Sequence, residues 1–157
     1  MRNKWADLTI LSKDLKDVDF LKVIKVYEKI GNKYLSQGGI RTMAKDFFLK
    51  SGLCYLANQD LIGCKSALLN YGVEDPTFEK DRKGKLLSTL LQACEMRNRD
   101  MFTNSLQGYN SMTPFDKVCT KLAVRIKMEY CPEEANALSN LNNPVNLVDV
   151  PDKPQPS

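Results

Sequence analysis

The chain is 157 residues long, 43% hydrophobic and 27% charged, the balance of one globular domain large enough to bury a core. It has no run of 18 apolar residues, and its opening Met1-Arg2-Asn3-Lys4-Trp5-Ala6-Asp7 lacks an apolar stretch; neither a membrane span nor a secretory signal is expected, and a cytoplasmic location is. Charge is uneven: residues 1–131 hold 22 basic against 15 acidic side chains, a net of +7, whereas 132–157 hold 1 against 4, a net of −3. Such a body suits an acidic partner, whether nucleic acid, anionic lipid or acidic protein.

Five of the seven prolines lie beyond residue 131, so the first 131 residues favour helix. In 19–30, Phe20, Val23, Ile24, Tyr27 and Ile30 recur at helical spacing, and Gly31 is expected to stop the helix in a left-handed turn. In 41–58 the stripe is Ala44, Phe47, Phe48, Ser51, Cys54 and Tyr55; in 60–71 it is Leu61, Cys64, Leu68 and Tyr71, closed by Gly72. Asp75-Pro76 reads as an N-cap with proline first. The next helix carries Leu86, Leu87, Leu90, Leu91 and Cys94, with Gly84 weakening its first turns. Phe102, Leu106 and Tyr109 mark a helix over 99–110, and Thr113-Pro114-Phe115-Asp116 reads as a helix start ahead of Val118, Cys119, Leu122 and Ile126. No alternating strand pattern of useful length occurs. Beyond Cys131, the proline cluster with Asn140, Asn142, Asn143 and Asn146 cannot sustain a helix, so 140–157 reads as a disordered tail behind a helical domain of residues 1–139, with 133–138 prolonging the last helix or opening a short one.

Three helices end in related words, around Tyr27-Glu28-Lys29-Ile30-Gly31, Tyr71-Gly72 and Tyr109-Asn110. A period near 40 residues with two helices per unit is that of a divergent tetratricopeptide-like α-solenoid, in which neighbouring helix pairs bury a shared core. The expected fold is therefore all-α: six or more helices in antiparallel pairs, with a C-terminal helical bundle.

Catalytic chemistry is poorly represented. The chain has no histidine, which removes the commonest general base and metal ligand. It has no phosphate-binding or dinucleotide glycine motif and no nucleophile elbow; Gly38-Gly39 reads as a flexible connection. The five cysteines are odd in number and none pairs at C-x-x-C spacing, so they read as small buried residues rather than a disulfide or zinc framework. No enzyme, cofactor or metal is expected. Aromatic residues do not interleave with basic ones, so nucleic acid is not the expected partner.

Arg41-Thr42-Met43-Ala44-Lys45-Asp46-Phe47-Phe48-Leu49-Lys50-Ser51-Gly52-Leu53-Cys54 resembles the A-K-D-Y-F-F helix of the alpha-type soluble NSF attachment protein (SNAP) family. The likeness continues through Gly63-Cys64-Lys65-Ser66-Ala67-Leu68, Asp81-Arg82, Leu90-Leu91-Gln92-Ala93, Asp100-Met101-Phe102-Thr103 and Arg125-Ile126-Lys127, and runs from Val23 to Lys127 almost without gaps. The resemblance implies an α-solenoid adaptor that binds SNARE complexes through a basic face, recruits the AAA ATPase NSF through an acidic end, and is peripheral to membranes through the SNAREs. It carries SNARE binding to Lys45 and Arg82, and to Lys4 in a looser register; Lys45 and Arg82 are expected to project from one face. It carries ATPase binding to Asp60, Glu95, Glu133, Glu134 and Leu138. The family's N-terminal helices have no counterpart ahead of Met1, which implies a fragment or short form, and the stretch beyond Leu138 departs from the family's ending. The rival reading is a generic helical-repeat scaffold for another helical or peptide partner.

Overall fold

The computed structural model describes residues 2–37 and 40–132. The expectations for Gly38-Gly39, for 133–139 and for the tail 140–157 lie outside them. Seven α-helices and no strand occur among the described residues: α1 Arg2–Ser12, α2 Phe20–Ser36, α3 Arg41–Ala57, α4 Leu61–Glu74, α5 Arg82–Met96, α6 Arg99–Met112 and α7 Lys117–Tyr130, with a 3₁₀ turn at Leu15–Asp17. The all-helical expectation holds.

Five helices start on a side-chain cap that satisfies an otherwise orphaned amide. Asp19, Asp60, Asp81, Asn98 and Asp116 accept from the backbone N–H of Lys22, Gly63, Lys83, Met101 and Cys119. These caps correct two expected helix starts. Asp75 closes the C-terminal end of α4 instead of opening a helix, and the chain turns through 76–80 before Asp81 starts α5. Thr113 likewise closes α6, and Asp116 starts α7. Two glycines expected as stops lie inside helices. Gly31 is in the interior of α2 because Phe48 of α3 lies against it; a Cβ there would stand 2.7 Å from the ring. Gly72 is in the last turns of α4.

Helix α3 is the centre of the molecule. Ala44, Phe47, Phe48, Leu49, Leu53, Cys54, Leu56 and Ala57 are all buried, so almost its whole circumference is covered. It packs against α2, α4, α5 and α7, and consecutive helices joined by short connections pack on one another, which makes them antiparallel. The ends also meet: α1 lies against both α2 and α7. The Lys121 ammonium donates to the carbonyls of Ile10 (2.8 Å) and Lys13 (2.7 Å), filling acceptors left open at the end of α1. Lys50 of α3 sits between Asp7 of α1 (3.4 Å) and Asp116 of α7 (3.2 Å), over the rings of Tyr27 and Phe47. Burial would lower its pKa, but the two carboxylates outweigh that and raise it.

Tyr71 and Tyr109 lie in the last turns of α4 and α6, whereas Tyr27 is midway along α2, so the related words do not all mark helix ends. Tyr27 donates to Asp7 (2.6 Å), Tyr71 donates to Glu28 (2.6 Å) and shares a hydrogen bond with Ser51, and Tyr109 lies beneath the Arg82 guanidinium. Each ties an even-numbered helix to a neighbour. All five cysteines are buried free thiols.

Gly84, in the first turn of α5, permits the closest approach among the described glycines. A Cβ at this position would lie 1.9 Å from the Phe78 carbonyl oxygen, a backbone atom that cannot swing aside. Helix propensity alone would favour alanine there by about 1 kcal/mol. The overlap is expected to win, so that Gly84→Ala destabilises the fold by about 1–3 kcal/mol. Urea unfolding measures it; a neutral or stabilising change would show that the turn at 76–80 yields.

Candidate functional site

Antiparallel packing sorts the charged candidates to two ends. The N-terminal ends of α3 and α5 and the C-terminal ends of α4 and α6 meet at one end. There Arg41, Lys45, Arg82 and Lys83 gather around Asp46, Asp75 and Tyr109. Lys83 pairs with Asp46 at 3.3 Å, joining α5 to α3. Arg82, at the first position of α5, is exposed. One face of its guanidinium lies 4.7 Å from the centre of the Tyr109 ring, and its N–H groups donate to the Thr113 hydroxyl and the Tyr109 carbonyl. Those contacts orient the cation on an aromatic platform while leaving it open to solvent.

Lys45 differs from its expected exposure. It is 6% exposed, and its ammonium lies 2.7 Å from the Asp75 carboxylate, which is itself fully buried. Asp75 further accepts from the Thr77 amide (3.1 Å) and hydroxyl (2.7 Å), with Arg41 at 3.7 Å. Burial alone would raise the Asp75 carboxyl; the Lys45 and Thr77 hydrogen bonds outweigh it and hold the pKa below the ordinary carboxylate value. Lys45 therefore does not project beside Arg82; it neutralises the buried end of α4. A lysine on an amphipathic helix ordinarily reaches solvent, and the partner that draws this one inward is 30 residues away. Lys4 is exposed on α1, next to Trp5, whose ring underlies Lys22 of α2.

At the opposite end, the start of α4 and the last turn of α5 bring Asp60 and Glu95 together. Asp60 caps α4, and Glu95 pairs with Lys65 one turn along α4 at 3.5 Å. Both carboxylates act on Cys64, whose thiol burial first pushes up. Glu133, Glu134 and Leu138 lie outside the described residues. This end is mixed in charge. Arg97 stacks over Tyr130 (5.5 Å), and an open cleft of about 460 Å³ is lined by Arg97, Arg99, Asp100, Tyr130 and Cys131. Burial raises the Cys131 thiol against the pull of Arg97, Lys127 and Arg99. The sequence likeness gave none of these cations a role; Arg97 lies in the short connection between α5 and α6, and Arg99 opens α6. Among the described residues no cluster of His, Cys, Asp and Glu could hold a metal ion, and no helix is long and apolar enough to cross a membrane.

Comparison with known proteins identifies the family of the chain. The family model described as soluble NSF attachment protein, SNAP, matches residues 1–130. The chain is 33% identical over 133 residues to a probable vesicular-fusion protein sec17 homolog of Neurospora crassa, covering 85% of this chain and 43% of that one. It is 35% identical over 106 residues to the alpha-soluble NSF attachment protein of Dictyostelium discoideum, covering 68% and 36%, and 33% identical over 108 residues to that of Homo sapiens, covering 69% and 36%. It thus spans less than half the length of these relatives. No solved structure matches significantly. With its seven helices, its Ala44-Lys45-Asp46-Phe47-Phe48 word at the centre of the fold and a match over residues 1–130, the chain belongs to the soluble NSF attachment protein family.

Proposed function

We propose that the chain is a non-catalytic, cytoplasmic adaptor, peripheral to membranes through its partner. It engages an assembled SNARE helical bundle through the exposed cations around Arg82 and presents the opposite end to the NSF-type ATPase. The observation that carries this reading is the polarity of one rigid helix. Arg82 opens α5 and Glu95 lies in its last turn, so the two partner-facing ends are held about 20 Å apart at 1.5 Å per residue. Glu133, Glu134 and Leu138 follow α7 in sequence and belong with Asp60 and Glu95 in the proposed ATPase contact. Lys45 enters this reading only as the group that fixes α4 to α3; Arg41 and Arg82 take the exposed role.

The test is capture by an assembled SNARE bundle against its separate chains. Preference for the bundle is expected. Arg82→Glu is expected to weaken capture several-fold with helicity unchanged, and capture is expected to fall with salt, because exposed charges are screened over about 8–10 Å. Equal capture of bundle and single chains would favour a generic helical scaffold; an Arg82→Glu variant that binds like the parent would remove Arg82 from the contact.

A further inference from the structure

Helix α2 carries a feature that the adaptor reading does not use. Lys22, Lys25, Lys29 and Lys33 are all exposed and recur at spacings of three, four and four residues. At 3.6 residues per turn they fall within an arc of about 80°, a ladder about 17 Å long. Val23, Ile24, Tyr27 and Gly31 are the buried face of the same helix, so the ladder points directly away from the core. None of the four makes an ion pair among the described residues. The nearest acids on the helix are committed elsewhere: Asp19 caps the N-terminus, and Glu28 is half-buried and accepts from Tyr71. Four cations in a row repel one another, and among the described residues no carboxylate pairs with them.

The ladder is continuous with exposed apolar groups. Trp5 of α1 is 42% exposed, with the Lys22 ammonium 5.3 Å from its ring centre. Leu8, one turn along α1, is 56% exposed, and Leu21, beside Lys22, is 59% exposed. The face therefore combines lysines, a half-exposed tryptophan and two leucines. We propose that this face, the α2 lysine ladder with Trp5, Leu8 and Leu21, is a docking surface for an anionic phospholipid membrane. Lysine ammoniums are point charges on flexible stems and need no fixed geometry in their partner, which suits a fluid sheet of headgroups. Tryptophan and leucine beside them enter the boundary between headgroups and acyl chains. A nucleic acid would leave the leucines without an occupant. An acidic protein helix would match the ladder's straightness but leaves the Trp5 edge unexplained.

The experiment is co-sedimentation of the full chain, with no other protein present, with phosphatidylcholine vesicles and with vesicles containing added phosphatidylserine. Binding to the second and not the first is expected, falling as salt is raised. The triple variant Lys25→Gln, Lys29→Gln, Lys33→Gln keeps helix propensity and its helicity is checked by circular dichroism. It is expected to lose about a hundredfold in partitioning, about fivefold per lysine. Leu8→Gln, which leaves the charge unchanged, is expected to weaken binding at every salt concentration. Equal binding to both vesicle types, or a triple variant that partitions like the parent, overturns the proposal. Capture by soluble polyglutamate or RNA without preference for the phosphatidylserine vesicles also overturns it and assigns the ladder to an acidic macromolecule. No SNARE or ATPase enters the assay, so its outcome is independent of the adaptor function.

Discussion

Phe48→Ala is expected to destabilise the fold by about 3–5 kcal/mol, a large part of the roughly 5–15 kcal/mol that holds a domain of this size together. The ring is fully buried at the point where four segments converge. It stacks on Tyr71 of α4 at 4.6 Å between ring centres, meets Phe78 of the 76–80 turn edge-on at 5.8 Å, and lies against the backbone of α2 at Gly31. The neighbours cannot collapse into the space. Tyr71 is held through its hydroxyl by Ser51 and Glu28, and Phe78 is fixed by the contact of its carbonyl with Gly84. A residual cavity therefore adds to the lost transfer free energy. Urea titration should show a lower midpoint with an unchanged slope, the sign of lost stability without a changed unfolded state. Phe48→Leu, which keeps most of the volume, should cost markedly less. A neutral Phe48→Ala would mean that the ring is not in the core.

How far the sequence carried depended on what each residue's state rests upon. Stripes on one side of a helix were legible from spacing: Leu86, Leu87, Leu90, Leu91 and Cys94, and Val118, Cys119, Leu122 and Ile126, are all buried as expected. Helix α1 was not expected. Only Ala6 and Ile10 of its apolar residues are buried, while Trp5, Leu8 and Leu11 face outward, so no stripe shows. Helix ends were misplaced where one residue type serves two purposes. Aspartate before proline suggested a start at Asp75, yet the same carboxylate closes α4 because Lys45 reaches it from α3. Gly31 suggested a stop, but its missing side chain makes room for Phe48, a partner seventeen positions on that spacing within α2 cannot reveal. In the candidate site, the exposed state of Arg82 and the proximity of Asp60 and Glu95 follow from helix register. The burial of Lys45 does not, because it depends on α3 being covered on nearly every side.

Removing the Asp75 carboxylate is expected to cost about 3–5 kcal/mol, the usual cost of breaking a buried ion pair from one side. Asp75→Ala leaves the Lys45 ammonium in a site with almost no solvent, and it also withdraws the acceptor that orders Thr77 at the start of the 76–80 turn. Replacing both partners, as in Lys45→Met with Asp75→Asn, should recover a substantial part of the loss, since no charge is then stranded. The pair also sets a pH dependence. The folded pKa of Asp75 lies below its unfolded value, so its contribution is fully present above the unfolded carboxylate pKa of about 4 and is lost as pH falls through the folded value. Stability of the parent should therefore decline below about pH 4, and Asp75→Asn should decline less steeply there while being less stable at neutral pH. The slope should not vanish, because Asp116, capping α7 and paired with Lys50, is also depressed, the hydrogen bond it accepts from the Cys119 amide and its Lys50 contacts outweighing burial. An identical slope in both proteins would mean that Asp75 is not the titrating group. The same geometry decides how partner binding must be probed. Charge reversal at Lys45 places two carboxylates against each other in the interior, so lost SNARE capture in that variant would report unfolding. Arg82, exposed on Tyr109, is the position whose reversal reports on contact itself.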